Sequence, residues 1–234
     1  MFIDPFFIML ILPAMGLAMW AQSSVKGNYA KFSQLRSKRG MTGAQVAQEL
    51  VRQNGLKEVK VEMVRGELTD HYDPRSKTVR LSEGIYNSTS VAALSVAAHE
   101  VGHAVQHDVG YVPLNLRSAI VPLASIGSNA GTWLFMIGMI MGGFAGSAAG
   151  DSIMLTGIVL FSGAVAFQIV TLPVEFNASS RAIVMLEDNN FLDQEEIVPA
   201  KKMLNAAALT YIAAAAMALA HLMRFIMIYA NRRR

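Results

Sequence analysis

The chain has 234 residues, of which 53% are apolar and 16% are charged, and its mean hydropathy is +0.37. Soluble domains carry about 25% charged residues, so the composition excludes an ordinary soluble domain and predicts a mainly α membrane protein. Its net charge is +3, and it lacks cysteine, which excludes disulfides and thiolate metal ligands. Because the basic residues are clustered and no base-recognition motif is visible, we expect the lipid bilayer as a partner and no nucleic acid.

The first apolar run, residues 2–21, predicts a membrane helix that makes up a segment 1–22. No basic residue precedes the run and no small-residue cleavage site closes it, which favours a membrane helix over a cleaved signal peptide. A basic loop follows, and by the positive-inside rule it lies in the cytoplasm. The basic tail at residues 232–234 would then lie outside, against that rule, and the longer first loop is given more weight.

Residues 23–116 predict a small α+β catalytic region. Thr42 is a good N-cap for a short amphipathic helix that ends at Asn54 and Gly55. Residues 59–63 and 78–82 alternate in polarity, which predicts two strands of a small sheet with a turn at residues 70–75 between them. Polar residues 87–90 then supply caps for a helix that runs to about Asp108.

The rest of the chain predicts three more membrane helices, about four in all. Residues 117–173 predict a hairpin of two apolar arms, with a polar break at Asp151 and Ser152. Small residues at 133–150 would allow close helix packing. Residues 174–205 predict a polar helical segment, and residues 206–234 predict the last membrane helix with its basic tail. The hairpin should return residue 174 to the side of the membrane that carries the catalytic region.

The pattern His-Glu-x-x-His at residues 99–103 predicts a zinc site. On a helix, positions i and i+4 lie one turn apart on the same face, so His99 and His103 can bind a single ion. Glu100 lies next to that face, where its carboxylate can reach a metal-bound water without binding the metal. This is the position of a general base in metal-assisted hydrolysis.

A catalytic zinc needs a third protein ligand. The three-histidine solution would place it at position 109, which is Val109, and His107 lies too far along the same helix to complete a tetrahedral set. The ligand must therefore come from another segment. Glu175 is preferred because it leads the polar segment directly after the hairpin, and Glu187 and Asp188 are weaker candidates.

These motifs resemble those of known membrane enzymes. The zinc motif, the hairpin and the run Glu-Phe-x-Ala-x-x-x-Ala from Glu175 resemble the zinc endopeptidases of the HtpX and CAAX prenyl protease type. More closely, the chain from about residue 40 to 181 resembles the YugP-like neutral zinc metallopeptidases of bacterial membranes. That resemblance is carried by residues 68–75, 81–82, 97–106 and 172–176.

The resemblance implies one zinc ion bound by His99, His103 and Glu175 in a zincin-like catalytic region, with Glu100 as the base. It implies a multi-pass protein of the bacterial cell membrane, with the active site expected on the cytoplasmic side. The HtpX type carries an acidic residue where this chain has Ser179, four positions after Glu175. Support for the zinc-binding histidines would then come from the Ser179 hydroxyl, or from Asp73 or Asn177.

The predicted activity is that of a zinc endopeptidase acting on proteins or peptides in or near the membrane. Candidate donors to the oxyanion are, in descending order, His71, Tyr72 and Arg181. If residues 78–82 form an edge strand, an extended peptide could add to it. The alternative is a catalytically silent membrane scaffold or adaptor with a structural or vestigial zinc site. Among protein partners, a membrane protein adaptor or a second copy of the chain is expected. The intact Glu100 favours the enzyme.

Overall fold

The structure, a computed structural model, describes residues 5–145 and 148–232, so the start of the first predicted run and Arg233 and Arg234 lie outside the described residues. A π-helical turn, Phe7–Ile11, precedes the first helix. The helices are α1 (Leu12–Phe32), α2 (Gly43–Gln53), α3 (Glu83–Tyr86), α4 (Val91–Asp108), α5 (Val112–Ala145), α6 (Ala148–Asp188) and α7 (Gln194–Arg232). The strands are β1 (Lys60–Val64), β2 (His71–Asp73) and β3 (Thr78–Ser82).

Four helical segments among the described residues are long and apolar enough to cross a membrane. They are α1 with its preceding π-helical turn, most of α5, and the helices α6 and α7. Fewer than a quarter of the residues in each apolar stretch are buried, as expected where lipid replaces a protein neighbour. The chain is therefore a mainly α membrane protein with a small sheet, as its composition and periodicity predicted.

Several helix boundaries differ from the predicted ones. Asp151 and Ser152 do not break the chain but lie in the first turns of α6, where the Ser152 hydroxyl donates to the carbonyl of Ala148 at 3.1 Å. An acidic residue is favourable at this end of a helix, because it faces the positive end of the helix dipole. Helix α6 then continues through Pro173, so the predicted division between residues 173 and 174 falls inside one helix.

The chain forms two compact units, and the boundaries between them fall within the four long helices. Among the described residues, the first unit contains residues 5–20, 116–172 and 211–232. In it, α5 and α6 approach closely at glycines: a Cβ on Gly131 would lie 2.9 Å from the carbonyl oxygen of Gly157. Aromatic side chains pack beside this contact, with the rings of Phe135 and Phe225 stacked 4.2 Å apart.

The second unit contains residues 21–115 and 173–210 and holds the sheet. Its strand order is β1-β3-β2, with β1 parallel and β2 antiparallel to β3. The expectation that residues 78–82 form an edge strand is wrong, because β3 is the central strand. Residues 71–73, predicted as part of a turn, form the edge strand β2 instead. The turn begins only at the end of β2, where the side chain of Asp73 accepts a hydrogen bond from the backbone N–H of Arg75.

The core of the second unit lies between the sheet and the helices α2, α4 and α6. Both predicted helix starts carry their caps. The Thr42 side chain accepts from the backbone of Gln45 in a capping box, and the Ser90 side chain accepts from the backbone of Ala93. Most residues of α4 are small and buried, which allows α4 to pass through the centre of this core.

Candidate metal centre

His99 and His103 lie one turn apart on α4, as the helical spacing predicted. Their rings meet edge to face, with centroids 4.8 Å apart and an interplanar angle of 87°. The Ser90 cap sets the start of α4 nine residues before His99, so both imidazoles lie in the middle of a regular helix rather than at a fraying end.

Helix α6 brings Glu175 to the two imidazoles. The Glu175 Oε2 atom lies 3.3 Å from the Nε2 atom of His99 and 3.5 Å from the Nε2 atom of His103. Glu175 is only 2% exposed, although glutamate is one of the charged residue types that are rarely fully buried. One ligand atom from each residue lies within 4.8 Å of the other two, and these residues could hold a metal ion together.

The close approach of the two helices depends on a glycine. A Cβ added to Gly102 would lie 2.7 Å from the carbonyl oxygen of Ala178, so the backbones of α4 and α6 touch there. This contact lies next to His103 on α4 and three residues after Glu175 on α6, so it sets the spacing between them.

The donor set fits zinc. Two imidazole nitrogens and one carboxylate oxygen, with an open fourth position, form the ligand set of many catalytic zinc sites. Bonds of about 2.0–2.1 Å in a tetrahedron place neighbouring ligand atoms about 3.3–3.4 Å apart. The two distances from Glu175 Oε2 are close to that value. Burial opposes a charge on His103, but the nearby carboxylates of Glu175 and Glu100 together raise the pKa of the imidazole.

The other candidate ligands lie elsewhere. Glu187 is in the last turn of α6, where its carboxylate accepts from Nε2 of Gln194 at 2.8 Å. Asp188 ends the same helix and lines a separate cavity. The structure therefore brings Glu175, and neither of the two alternatives, to His99 and His103. Glu100 follows His99 directly and is only 8% exposed, so it is largely buried among the residues that pack around α4.

A second layer of side chains contacts the far side of each imidazole. The Ser179 hydroxyl lies 3.2 Å from the Nδ1 atom of His99, and the Gln106 Oε1 atom lies 3.0 Å from the Nδ1 atom of His103. Asp73 does not take part, because its carboxylate accepts from Ser76 and Arg80. These hydrogen bonds hold the pKa of Asp73 well below its usual range.

The sequence did not point to Gln106, which lies on α4, is fully buried and forms hydrogen bonds with residues of both α4 and α6. Its Nε2 atom donates to the carbonyl of Val174 at 2.8 Å and to Oδ1 of Asn177 at 3.0 Å. A signal was present in the sequence, because Gln106 follows His103 by three positions and so lies on the same side of α4.

The three candidate oxyanion donors lie in different surroundings. Adjacent residues of a strand point to opposite faces, and on β2 it is Tyr72 that faces α4, with its hydroxyl 2.9 Å from the Nδ1 atom of His107. His71 is exposed and its Nδ1 atom lies 2.7 Å from the carbonyl oxygen of Thr69. Arg181 donates from Nε to Asn177 Oδ1 at 2.8 Å.

Tyr72 and His107 border a cavity of about 340 Å³ whose lining also includes Ala104 of α4. Burial and the charges of Asp73 and Asp108 raise the pKa of Tyr72 to about 12. The phenol is therefore neutral at physiological pH and keeps its hydrogen. Among the three candidates, Tyr72 combines a retained proton with open space beside the helix that carries the zinc motif.

Comparison with known proteins agrees with this site. A family model described as "Putative neutral zinc metallopeptidase" matches residues 7–230. A relative from Bacillus subtilis (strain 168), named "Putative membrane protease YugP", is 48% identical over 227 residues, which cover 97% of this chain and 98% of the relative. No solved structure matches the chain significantly. The resemblance seen in the motifs is confirmed, and the chain belongs to the neutral zinc metallopeptidase family.

Proposed function

We propose that this protein is an integral-membrane zinc endopeptidase of the gluzincin type, with one zinc ion held by His99, His103 and Glu175. The observation that carries the proposal is the cluster of these three side chains, with the charge of the adjacent Glu100 acting on His103. When bound there, zinc would lower the pKa of a water to about 7 and polarise the carbonyl of a peptide bond.

Glu100 supplies the proton transfer. Its carboxylate accepts a proton from the attacking water and then passes that proton to the nitrogen of the leaving amine. The low exposure of Glu100 suits this role, because a carboxylate in poorly hydrated surroundings interacts more strongly with a nearby proton donor. A scaffold with a vestigial site would have no use for a carboxylate at this position.

Tyr72 is the proposed donor to the developing oxyanion. For the phenol hydrogen to be available to substrate, His107 must donate from Nδ1 to the Tyr72 oxygen across their 2.9 Å contact. The neighbouring cavity then offers space for the substrate group that the hydroxyl would contact. His71 lacks such a position, since its ring is exposed on the opposite face of β2.

We further propose a multi-pass arrangement in the bacterial membrane, with the catalytic residues on the cytoplasmic side and substrates in or near the bilayer. The basic residues that follow the first apolar run, residues 2–21, support this orientation. Because the chain has no native cysteine, a single Lys57→Cys variant can report the side directly. Labelling of that cysteine by an impermeant reagent in intact cells would show that the orientation is inverted.

The decisive test of the activity is Glu100→Gln in detergent-purified protein. The variant should bind zinc with unchanged stoichiometry, because Glu100 is not a ligand, and should lose hydrolysis of casein or a model peptide. Metal analysis and the peptidase assay are made on the same preparation. Proteolysis that survives in Glu100→Gln would refute the proposed base, and a wild type that binds zinc but cleaves none of several varied substrates would favour the silent scaffold.

A further inference from the structure

We propose that Gln106 is a positioning residue that fixes the tautomer and the ring orientation of His103, so that Nε2 of His103 is the atom free to bind a metal. This inference rests on the proposed function, because it assigns a role toward the same zinc ion. It depends on an unbroken series of hydrogen bonds that runs from Arg181 through Asn177 and Gln106 to His103.

The direction of the Gln106 amide follows from its partners. The carbonyl oxygen of Val174 can only accept a hydrogen bond, so the Gln106 atom 2.8 Å away must be the nitrogen. The other side-chain atom, Oε1, therefore faces Nδ1 of His103 at 3.0 Å. An amide oxygen cannot donate, so Nδ1 of His103 must carry the hydrogen, and Nε2 of a neutral ring then keeps its lone pair.

The far end of the series agrees with this direction. The Arg181 guanidinium can only donate, so the Asn177 atom 2.8 Å from Nε of Arg181 must be the amide oxygen. That same oxygen accepts from Nε2 of Gln106 at 3.0 Å. Two groups of fixed polarity, the Arg181 guanidinium and the Val174 carbonyl, thus require the same orientation of Gln106.

Burial makes this orientation rigid. Gln106 is 0% exposed, so water cannot replace any of its three hydrogen-bond partners without opening the packing between α4 and α6. Rotating the amide by half a turn would place Oε1 of Gln106 against two acceptor oxygens, the Val174 carbonyl and Oδ1 of Asn177, and leave a buried carbonyl without a donor, which is unfavourable. The acceptor that faces Nδ1 of His103, the Oε1 atom of Gln106, is therefore fixed in place by its surroundings.

The other histidine is held differently. The Ser179 hydroxyl, 3.2 Å from Nδ1 of His99, can either donate or accept, so it does not select a tautomer. Of the two imidazoles, His103 is the one whose metal-binding nitrogen is set by the protein before any ion arrives. Outer hydrogen bonds of this kind typically change metal affinity about 10–100-fold when they are removed.

The test compares two substitutions of Gln106 with one of Ser179. Gln106→Leu removes the acceptor at similar size and should weaken zinc binding about 10–100-fold in a chelator competition. Gln106→Glu keeps an acceptor for Nδ1–H but loses both amide donations. It should bind zinc more tightly than Gln106→Leu, with an affinity nearer to that of the wild type. Ser179→Ala is the comparison on the other histidine, and it should leave the tautomer of His103 unchanged.

A second readout uses protein without metal and does not depend on activity. In protein labelled with ¹⁵N-histidine, at a pH where the rings are neutral, the spectrum should show His103 protonated at Nδ1, with assignment by loss of the signal in His103→Ala. Ser179→Ala should keep this pattern. Gln106→Leu, if folded by circular dichroism, should show a mixture of tautomers; if it does not fold, the wild-type and Gln106→Glu spectra decide.

A His103 ring protonated at Nε2 in the wild type would overturn the inference, and so would zinc affinity and tautomer both unchanged in folded Gln106→Leu. Neither measurement needs peptide cleavage. Failure of the peptidase proposal in Glu100→Gln would therefore be distinguishable from failure of the role assigned to Gln106.

Discussion

Gly102→Ala is the substitution whose effect can be worked out most directly from the structure. The new Cβ would lie 2.7 Å from the carbonyl oxygen of Ala178, whereas ordinary contact begins at 3.4 Å. Because the obstacle is backbone, α4 and α6 would have to separate by about 0.7 Å, from 2.7 to 3.4 Å. That displacement acts next to His103 and near Glu175, the two residues that face each other across the helix contact.

Two opposing terms set the stability change. Alanine is favoured over glycine by about 1 kcal/mol inside a helix. Overpacking a tight contact costs about 1–3 kcal/mol, so we expect a net loss of about 0–2 kcal/mol in the free energy of unfolding. The functional loss should be larger than the loss of stability, since a displacement of about 1 Å can cost on the order of 100-fold in rate.

The assay measures zinc affinity by chelator competition and kcat/KM on a model peptide, with thermal unfolding in the same detergent. Both functional values should fall about 10-fold or more in Gly102→Ala. Gly27→Ala is the matched control: Gly27 lies inside α1 with open space around it, so alanine there should leave both values unchanged. If Gly102→Ala bound zinc and cleaved peptide like Gly27→Ala, the helix contact would not set the spacing of the ligands.

The remaining predictions concern individual side chains. Glu175→Gln should weaken zinc binding by more than the about 10–100-fold expected when a hydrogen-bond partner of a metal ligand is removed. Glu187→Gln should keep the wild-type affinity, and equal affinities in the two variants would exclude Glu175 as a ligand. Tyr72→Phe should lower kcat about 100–1,000-fold without changing zinc content, and an unchanged kcat would exclude the phenol as oxyanion donor. Because burial raises the pKa of Tyr72 from 10.0 to about 12, the folded state binds this proton more tightly than the unfolded chain. This contribution to stability is complete below pH 10 and is lost as the pH rises from 10 to about 12. In denaturant titrations, the free energy of unfolding of Tyr72→Phe should therefore fall less than that of the wild type between pH 10 and about 12. Identical pH profiles for the two proteins would contradict the raised pKa of Tyr72.

Local geometry made much of the second unit predictable. Helix α4 could be read from its cap, its small residues and its spacing, because an α-helix repeats one hydrogen-bond pattern that places residues i and i+4 together whatever surrounds it. The paired positions of His99 and His103 follow from that repeat. The four apolar segments were predictable for a similar reason, since a membrane helix satisfies its backbone internally and needs only length and apolar side chains.

Contacts between distant segments were not readable in the same way. Residues 71–73 have turn composition, yet they form a strand because β3 offers them a partner, and that pairing is a property of two segments together. The supposed break at Asp151 lies within α6, because an acidic residue is compatible with either a loop or the first turns of a helix.

From the sequence alone, the first two candidate ligands and the candidate base could be identified, because they depend on residues close together in the chain. The sequence preferred Glu175 over Glu187 and Asp188, but all three are carboxylates on one predicted helical segment. The tertiary structure supplies the physical reason for that preference: a glycine at position 102 lets α6 approach α4 closely enough for the Glu175 carboxylate to reach both imidazoles. The same packing buries Gln106 and so determines which nitrogen of His103 carries the proton.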